Sequence, residues 1–209
     1  MADQKYQYTL SLYRAIMAAG FDTTPIKEFE SRRGVAWSAN LKYNGKVIAE
    51  ASNEGVGGMS RLEAAINPRT TTPDWTSART LMATCLESLF ALPEIQAHLR
   101  ATELSMVPSH LTEEERQAKI AEISAMTFKV EEEVAADLIA ELADIKKRIA
   151  ALKRVAAKRL AWARAGDELG SNVSVSGADT PENRKACMAK YADEFKDFQG
   201  FLGDLLHGL

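Results

Sequence analysis

Asn44-Gly45, set between the β-prone runs VAWSANLKY and KVIAEAS, constrains this chain more than any other pair of residues. Both residues tolerate a left-handed backbone, and such a pair between alternating runs is a strong short-range signal for an antiparallel hairpin. Two registers compete. A two-residue turn pairs Tyr43 with Lys46 and Leu41 with Ile48, and its face mixes Trp37, Ala39 and Leu41 with Lys46, Glu50 and Ser52. A three-residue loop of Tyr43, Asn44 and Gly45, with Gly45 left-handed in a bulge, pairs Lys42 with Lys46 instead. Val35, Trp37, Ala39 and Leu41 then share a face with Val47, Ala49 and Ala51, while Ser38, Asn40, Lys42, Lys46 and Glu50 take the other. A one-residue slip exchanges the two faces, so the cleaner segregation selects the bulged loop. Its apolar face, with Trp37 and Leu41 buried, needs a third strand or a helix beneath it.

Around the hairpin the periodicity is mostly helical, and the chain reads as α+β, predominantly helical. A small N-terminal hairpin or sheet packs on a helix, followed by a helical bundle with one long helix and a C-terminal helical hairpin. Tyr6, Leu10, Tyr13, Ile16 and Met17 mark a helix over 5–19 that Gly20 stops. Residues 26–30 suggest a short strand, and Ser60 with Glu63 has capping-box spacing for a short helix ending before Pro68. The Pro- and Thr-rich stretch 67–74 divides an α/β-hairpin module, 1–66, from a helical, coiled-coil-like module, 75–209.

In the second module, Leu81, Cys85, Leu86, Leu89 and Phe90 form one helix face, and Pro93 opens the next helix with Ile95 and Leu99 inward. Thr112 and Glu115 cap a helix running to Met126, and residues 128–165 read as the longest helix. Its seam of Leu138, Leu142, Ile145, Ile149, Leu152 and Ala156 is close to a heptad. A connector, 166–180, leads to Thr180-Pro181 and a final helix reaching Leu206. That helix offers Met188, Tyr191, Phe195, Phe198, Leu202 and Leu205 as a partner stripe. A homodimer through the seam is the alternative pairing.

Residues 34–58, GVAWSANLKYNGKVIAEASNEGVGG, resemble a widespread group of small phage and plasmid proteins. In that group an alternating strand, an x-(D/N)-G-K turn and a second strand lead into N-x-G-x-G-G. The matching residues are Asn44, Gly45, Lys46, Asn53, Gly55, Gly57 and Gly58. The resemblance implies origin in a mobile element and names no activity.

Chemistry is sparse. Asn53, Gly55, Gly57, Gly58 and Arg61 are candidates for an anion-binding nest of backbone N–H groups. The run lacks the Lys-Ser/Thr ending of a phosphate loop, and a loop needing positive φ is the favoured explanation of the glycines. His98, His110 and His207 are scattered and neither Cys85 nor Cys187 has a partner at metal-ligand spacing, so no metal, cofactor or catalytic residue is expected. No secretory leader and no long apolar run is visible, and unpaired cysteines suit a reducing interior. The expectation is a soluble protein of the cytoplasm, the host's if phage-encoded, with no membrane contact. A net charge of −3 gives no global attraction to nucleic acid, so any such affinity is local.

Charge along the long helix is polarised. Residues 131–144 hold six acids (Glu131, Glu132, Glu133, Asp137, Glu141, Asp144) and no base. Residues 146–164 hold eight bases (Lys146, Lys147, Arg148, Lys153, Arg154, Lys158, Arg159, Arg164) and no acid. The helix dipole favours that order but acts chiefly in the terminal turns, so something acidic should face the basic stripe. The leading expectation is a non-enzymatic interaction protein that binds and inhibits a host protein or complex, in the manner of an anti-CRISPR, with the acidic patch imitating nucleic acid. One alternative is nucleic-acid binding by the basic stripe with Trp162 stacking. Another is sequestration of a nucleotide signal by the nest with Arg61 or Arg32.

Overall fold

The computed structural model describes residues 5–31, 34–55, 58–66, 74–164, 167–195 and 198–209, and it is an α+β fold. Helix α1 (Lys5–Ala18) ends as its periodicity predicts: Gly20 takes φ +85° and its N–H reaches the Met17 carbonyl at 3.0 Å. Strands β1 (Phe21–Thr23), β2 (Lys27–Ser31), β3 (Gly34–Tyr43), β4 (Lys46–Asn53) and β5 (Arg61–Ala64) form one antiparallel sheet. Its order is β1-β3-β4-β5, with β2 also paired to β3.

The hairpin departs from the expected loop in an instructive way. Tyr43 pairs with Lys46 across a two-residue turn, with φ +47° at Asn44 and +78° at Gly45. The bulge lies further in: Lys42 pairs with Val47 but Leu41 pairs with Ala49, leaving Ile48 as the extra residue. A bulge places two consecutive side chains on one side. Ile48 and Ala49 are accordingly both buried. The turn thus keeps the twist that Asn-Gly favours, and the apolar face of Ala39, Leu41, Ala49 and Ala51 is kept as well. Trp37 is half-buried rather than buried, and Val35 is exposed.

Residues 61–64 are a strand, not the capped helix that Ser60 and Glu63 suggest. Arg61–Ala64 pairs with Ala49–Ser52, and Leu62 turns inward while its neighbours stay outward. Four residues cannot hold a helix against an open sheet edge that offers backbone partners at once.

Helix α2 (Trp75–Phe90) is capped by Asp74, which accepts from the Ser77 N–H at 3.0 Å, and it buries Cys85, Leu86, Leu89 and Phe90 but not Leu81. Pro93 opens α3 (Pro93–Ser105), with Ile95 and Leu99 inward. The capping box of Thr112 and Glu115 opens α4 (Glu113–Ala125), with both reciprocal bonds made. The long helix α5 (Glu132–Ala156) stops well short of 165.

Beyond α5 the expected C-terminal helical hairpin is replaced by a second sheet. Strand β6 (Arg159–Arg164) lies between β7 (Val173–Ser176) and β8 (Phe198–Phe201), all antiparallel. The connector therefore contains a strand. The final helix is short, α6 (Pro181–Lys190), followed by a 3-10 turn at Ala192–Phe195, β8 and α7 (Leu202–Leu205). Thr180 and Pro181 do open α6 as cap and first residue. The run Leu160-Ala161-Trp162-Ala163 is buried on both faces, which erases the alternation that would have marked a strand. Ala161 and Ala163 face the main core; Leu160 and Trp162 join Cys187 and Phe201 in a second, smaller cluster.

The boundary expected at 67–74 falls largely on residues outside those described, and the stretches on either side share one core. Leu10, Ile16, Leu41 and Ala49 pack in the same cluster as Leu89, Ile95, Leu142 and Leu202. The α5 seam of Leu138, Leu142, Ile145, Ile149 and Leu152 is buried in that cluster. It is therefore not an open dimer face; it packs against the chain's own sheet, and of the predicted stripe only Leu202 and Leu205, on α7, lie in or against the same core. Of that stripe, Met188 is exposed, Phe195 and Phe198 border the small cluster, and Leu202 enters the main core.

Candidate functional site

The charged run of α5 is the candidate site, and the fold sorts its residues into those with internal partners and those without. At the acidic end Glu132 accepts from the Leu62 N–H at 3.4 Å, guarding the free edge of β5. The Ser60 hydroxyl donates to Asp137 at 2.6 Å. Glu141 meets His98 Nε2 at 2.8 Å, and that imidazole lies beside the Tyr8 ring, with centroids 6.3 Å apart. Asp144 pairs with Arg148 one turn on, at 2.6 Å.

The basic side is also engaged at its start. Lys146 reaches both oxygens of Asp22 and the Thr23 carbonyl, each at 2.6 Å. Lys147 pairs with Glu28 at 2.6 Å, which raises the lysine pKa. Arg148 also donates to the Leu169 carbonyl at 2.9 Å, and Lys153 donates to the Leu209 carbonyl. Two of the eight bases thus find acidic partners on β1 and β2 of the same chain. Arg159 and Arg164 sit on β6, not on a helix, and Arg164 lies 3.8 Å from Asp167. Trp162 is 0% exposed, so it offers no stacking surface to a nucleic acid.

Glu131, Glu133, Arg154, Lys158 and Arg159 are exposed and their side chains have no partner among the described residues. The two acids stand at the start of α5; Arg154 lies in its last turn, with Lys158 and Arg159 just beyond.

The glycine loop is closed on itself. The Gly55 N–H donates to the Asn53 side chain at 2.8 Å, and Asn53 Nδ2 donates to the Gly58 carbonyl at 3.0 Å. Arg61 is paired with Glu54 at 2.8 Å. Gly57, and Arg32 with it, lies outside the described residues. Gly55 has φ +70°, and a Cβ there would stand 2.5 Å from the Val35 carbonyl carbon. Close backbone approach to β3 is what its lack of a side chain permits. Around this loop, Glu54, Gly58, Met59, Ser60, Arg61, Glu132 and Glu133 line an open groove of about 410 Å³. An anion entering it would meet three carboxylates and one arginine already paired.

Glu54 and Met59 were not marked by any motif, because they join Glu132 and Glu133 only through the fold. Met59 is 70% exposed at the groove's rim. Among the described residues no group of three or more His, Cys, Asp or Glu side chains is placed to hold a metal ion. No helix among them is long and apolar enough to cross a membrane. Neither a protein-family model, nor a curated protein, nor a solved structure matches this chain.

Proposed function

We propose that this chain is a non-enzymatic binding protein of a phage or other mobile element that inhibits a host factor by covering a basic surface on it. An anti-defence inhibitor of the anti-CRISPR kind, acting in the host cytoplasm, is the concrete form of this reading. The observation that carries it is the acidic rim at the start of α5. Glu131 and Glu133 have no side-chain partner among the described residues, and Glu133 lines one groove with Glu132, Glu54 and the exposed Met59. Unpaired carboxylates steer a basic partner, and a flexible thioether supplies adaptable apolar contact. Arg61 pairs with Glu54 within the groove, while Lys146 and Lys147, the first bases of the same helix, are held on Asp22 and Glu28.

The test is capture from host lysate with the full chain as bait, beside the variant Glu131→Lys/Glu133→Lys. One stoichiometric basic protein, lost with the variant and impaired in its own activity by the wild-type chain, is the expected result. Recovery of no stoichiometric protein, or capture that ignores the charge reversal, overturns the reading.

A further inference from the structure

We propose that the basic end of α5 docks on the acidic end of α5 in a second copy of the chain, so that the molecule associates head to tail. The acidic end is the surface assigned above to the host factor, and in this respect the inference rests on that reading. Along 131–164 the middle of the charged run is settled internally: His98 on Glu141, Arg148 on Asp144, Asp22 on Lys146 and Glu28 on Lys147. What remains sorts by sign to opposite ends. Among the described residues, Glu131 and Glu133 have no side-chain partner at one, and Arg154, Lys158 and Arg159 have none at the other.

At 1.5 Å rise per residue these ends lie roughly 35 Å apart. That is several screening lengths at physiological salt, so the two sets cannot neutralise each other within one molecule. Between molecules they are complementary. Each copy keeps one end of each sign after docking, so the contact is heterologous and repeats. Both ends are exposed and each ion pair contributes little, so the association is weak and salt-sensitive.

Sedimentation velocity of the full chain tests this at about 20 mM and about 500 mM salt, conditions that lengthen and shorten the screening length. The expected result is a weight-average mass that climbs above 22.9 kDa with concentration at low salt and returns to it at high salt. Two charge-swapped variants sharpen the test. Arg154→Glu/Lys158→Glu/Arg159→Glu makes both ends acidic, and Glu131→Lys/Glu133→Lys makes both ends basic. Each should stay monomeric alone, and their equimolar mixture should associate again. A wild-type chain monomeric at every concentration overturns the inference, as does association that survives high salt, a mixture that stays monomeric, or a mass increase abolished by nuclease. The all-acidic variant separates the two proposals, since it loses self-association yet keeps the surface for a basic host protein. If it captures that protein while the wild-type chain never self-associates, the inference fails and the proposed function stands.

Discussion

Lys146 on α5 grips Asp22 on β1 through both carboxylate oxygens at 2.6 Å, across 124 positions of sequence. Burial by itself opposes ionisation of Asp22. Hydrogen bonds from Lys146 and the Thr23 N–H, the lysine charge and the Tyr13 hydroxyl outweigh it and hold the carboxyl below its ordinary value. Lys146 thereby ties the long helix to the edge of the first sheet.

A carboxyl depressed in the folded state contributes stability that is present above its unfolded pKa, about 3.9, and is lost as pH falls through the folded value. Asp22→Asn should therefore cost roughly 1.5–3 kcal/mol at pH 7, the range for a hydrogen bond to a charged group. In urea melts the gap between variant and wild type should narrow below about pH 4. A gap that stays constant into strong acid would show that the contact is not the source of the loss.

Ile48 distinguishes the observed hairpin from the three-residue loop, which would turn it to solvent. Buried beside Ala49 by the bulge, it should cost about 2–5 kcal/mol when changed to alanine, while half-buried Val47→Ala should cost about 1 kcal/mol. Equal small losses at both positions in chemical denaturation would mean that Ile48 faces solvent and the bulge lies elsewhere.

Parts of the fold were legible where their signals are local. Gly20, the Asn44-Gly45 turn, Pro93 and the Thr112–Glu115 box each act within one turn of their own position, and each does what its chemistry requires. The bulge at Ile48 was not legible, since strict alternation is the only pattern a strand reading tests. The second sheet was hidden for a related reason. Leu160-Ala161-Trp162-Ala163 serves two cores at once, so its apolar run continues the helical pattern of α5 without a break. The polarised charge of α5 was plain in the sequence, but Asp22 and Glu28 are distant in the chain and only the fold brings them to Lys146 and Lys147.

Gly55 and Gly58 belong to one glycine-rich run but should respond oppositely to alanine. A Cβ on Gly55 would press on the β3 backbone at Val35 and Ala36, neither of which can yield as a side chain would. With φ +70° as well, Gly55→Ala should cost more than about 1–2 kcal/mol. Gly58 has open space around it, and Gly58→Ala should change stability by no more than about 0.5 kcal/mol. Thermal melts of the two variants check this, and matched losses would return the glycines to a shared role such as a nest.

Trp162 and Trp75 give the C-terminal sheet an optical signature. Trp162 is stacked on Phe195 with ring centroids 4.7 Å apart and is fully buried, whereas Trp75 is 55% exposed at the start of α2. Trp75→Phe should leave stability nearly unchanged, shift the emission to shorter wavelength and weaken quenching by acrylamide. Trp162→Ala should cost about 3–5 kcal/mol, because it empties the centre of the small cluster. A tryptophan on the exposed face of a continuous helix would give the reverse: strong quenching that persists in Trp75→Phe, and little loss of stability on removing Trp162. Half-buried Trp37 also emits, so the quenching curve of Trp37→Phe/Trp75→Phe, in which Trp162 is the one tryptophan left, decides whether β6 or a longer α5 holds residues 159–164.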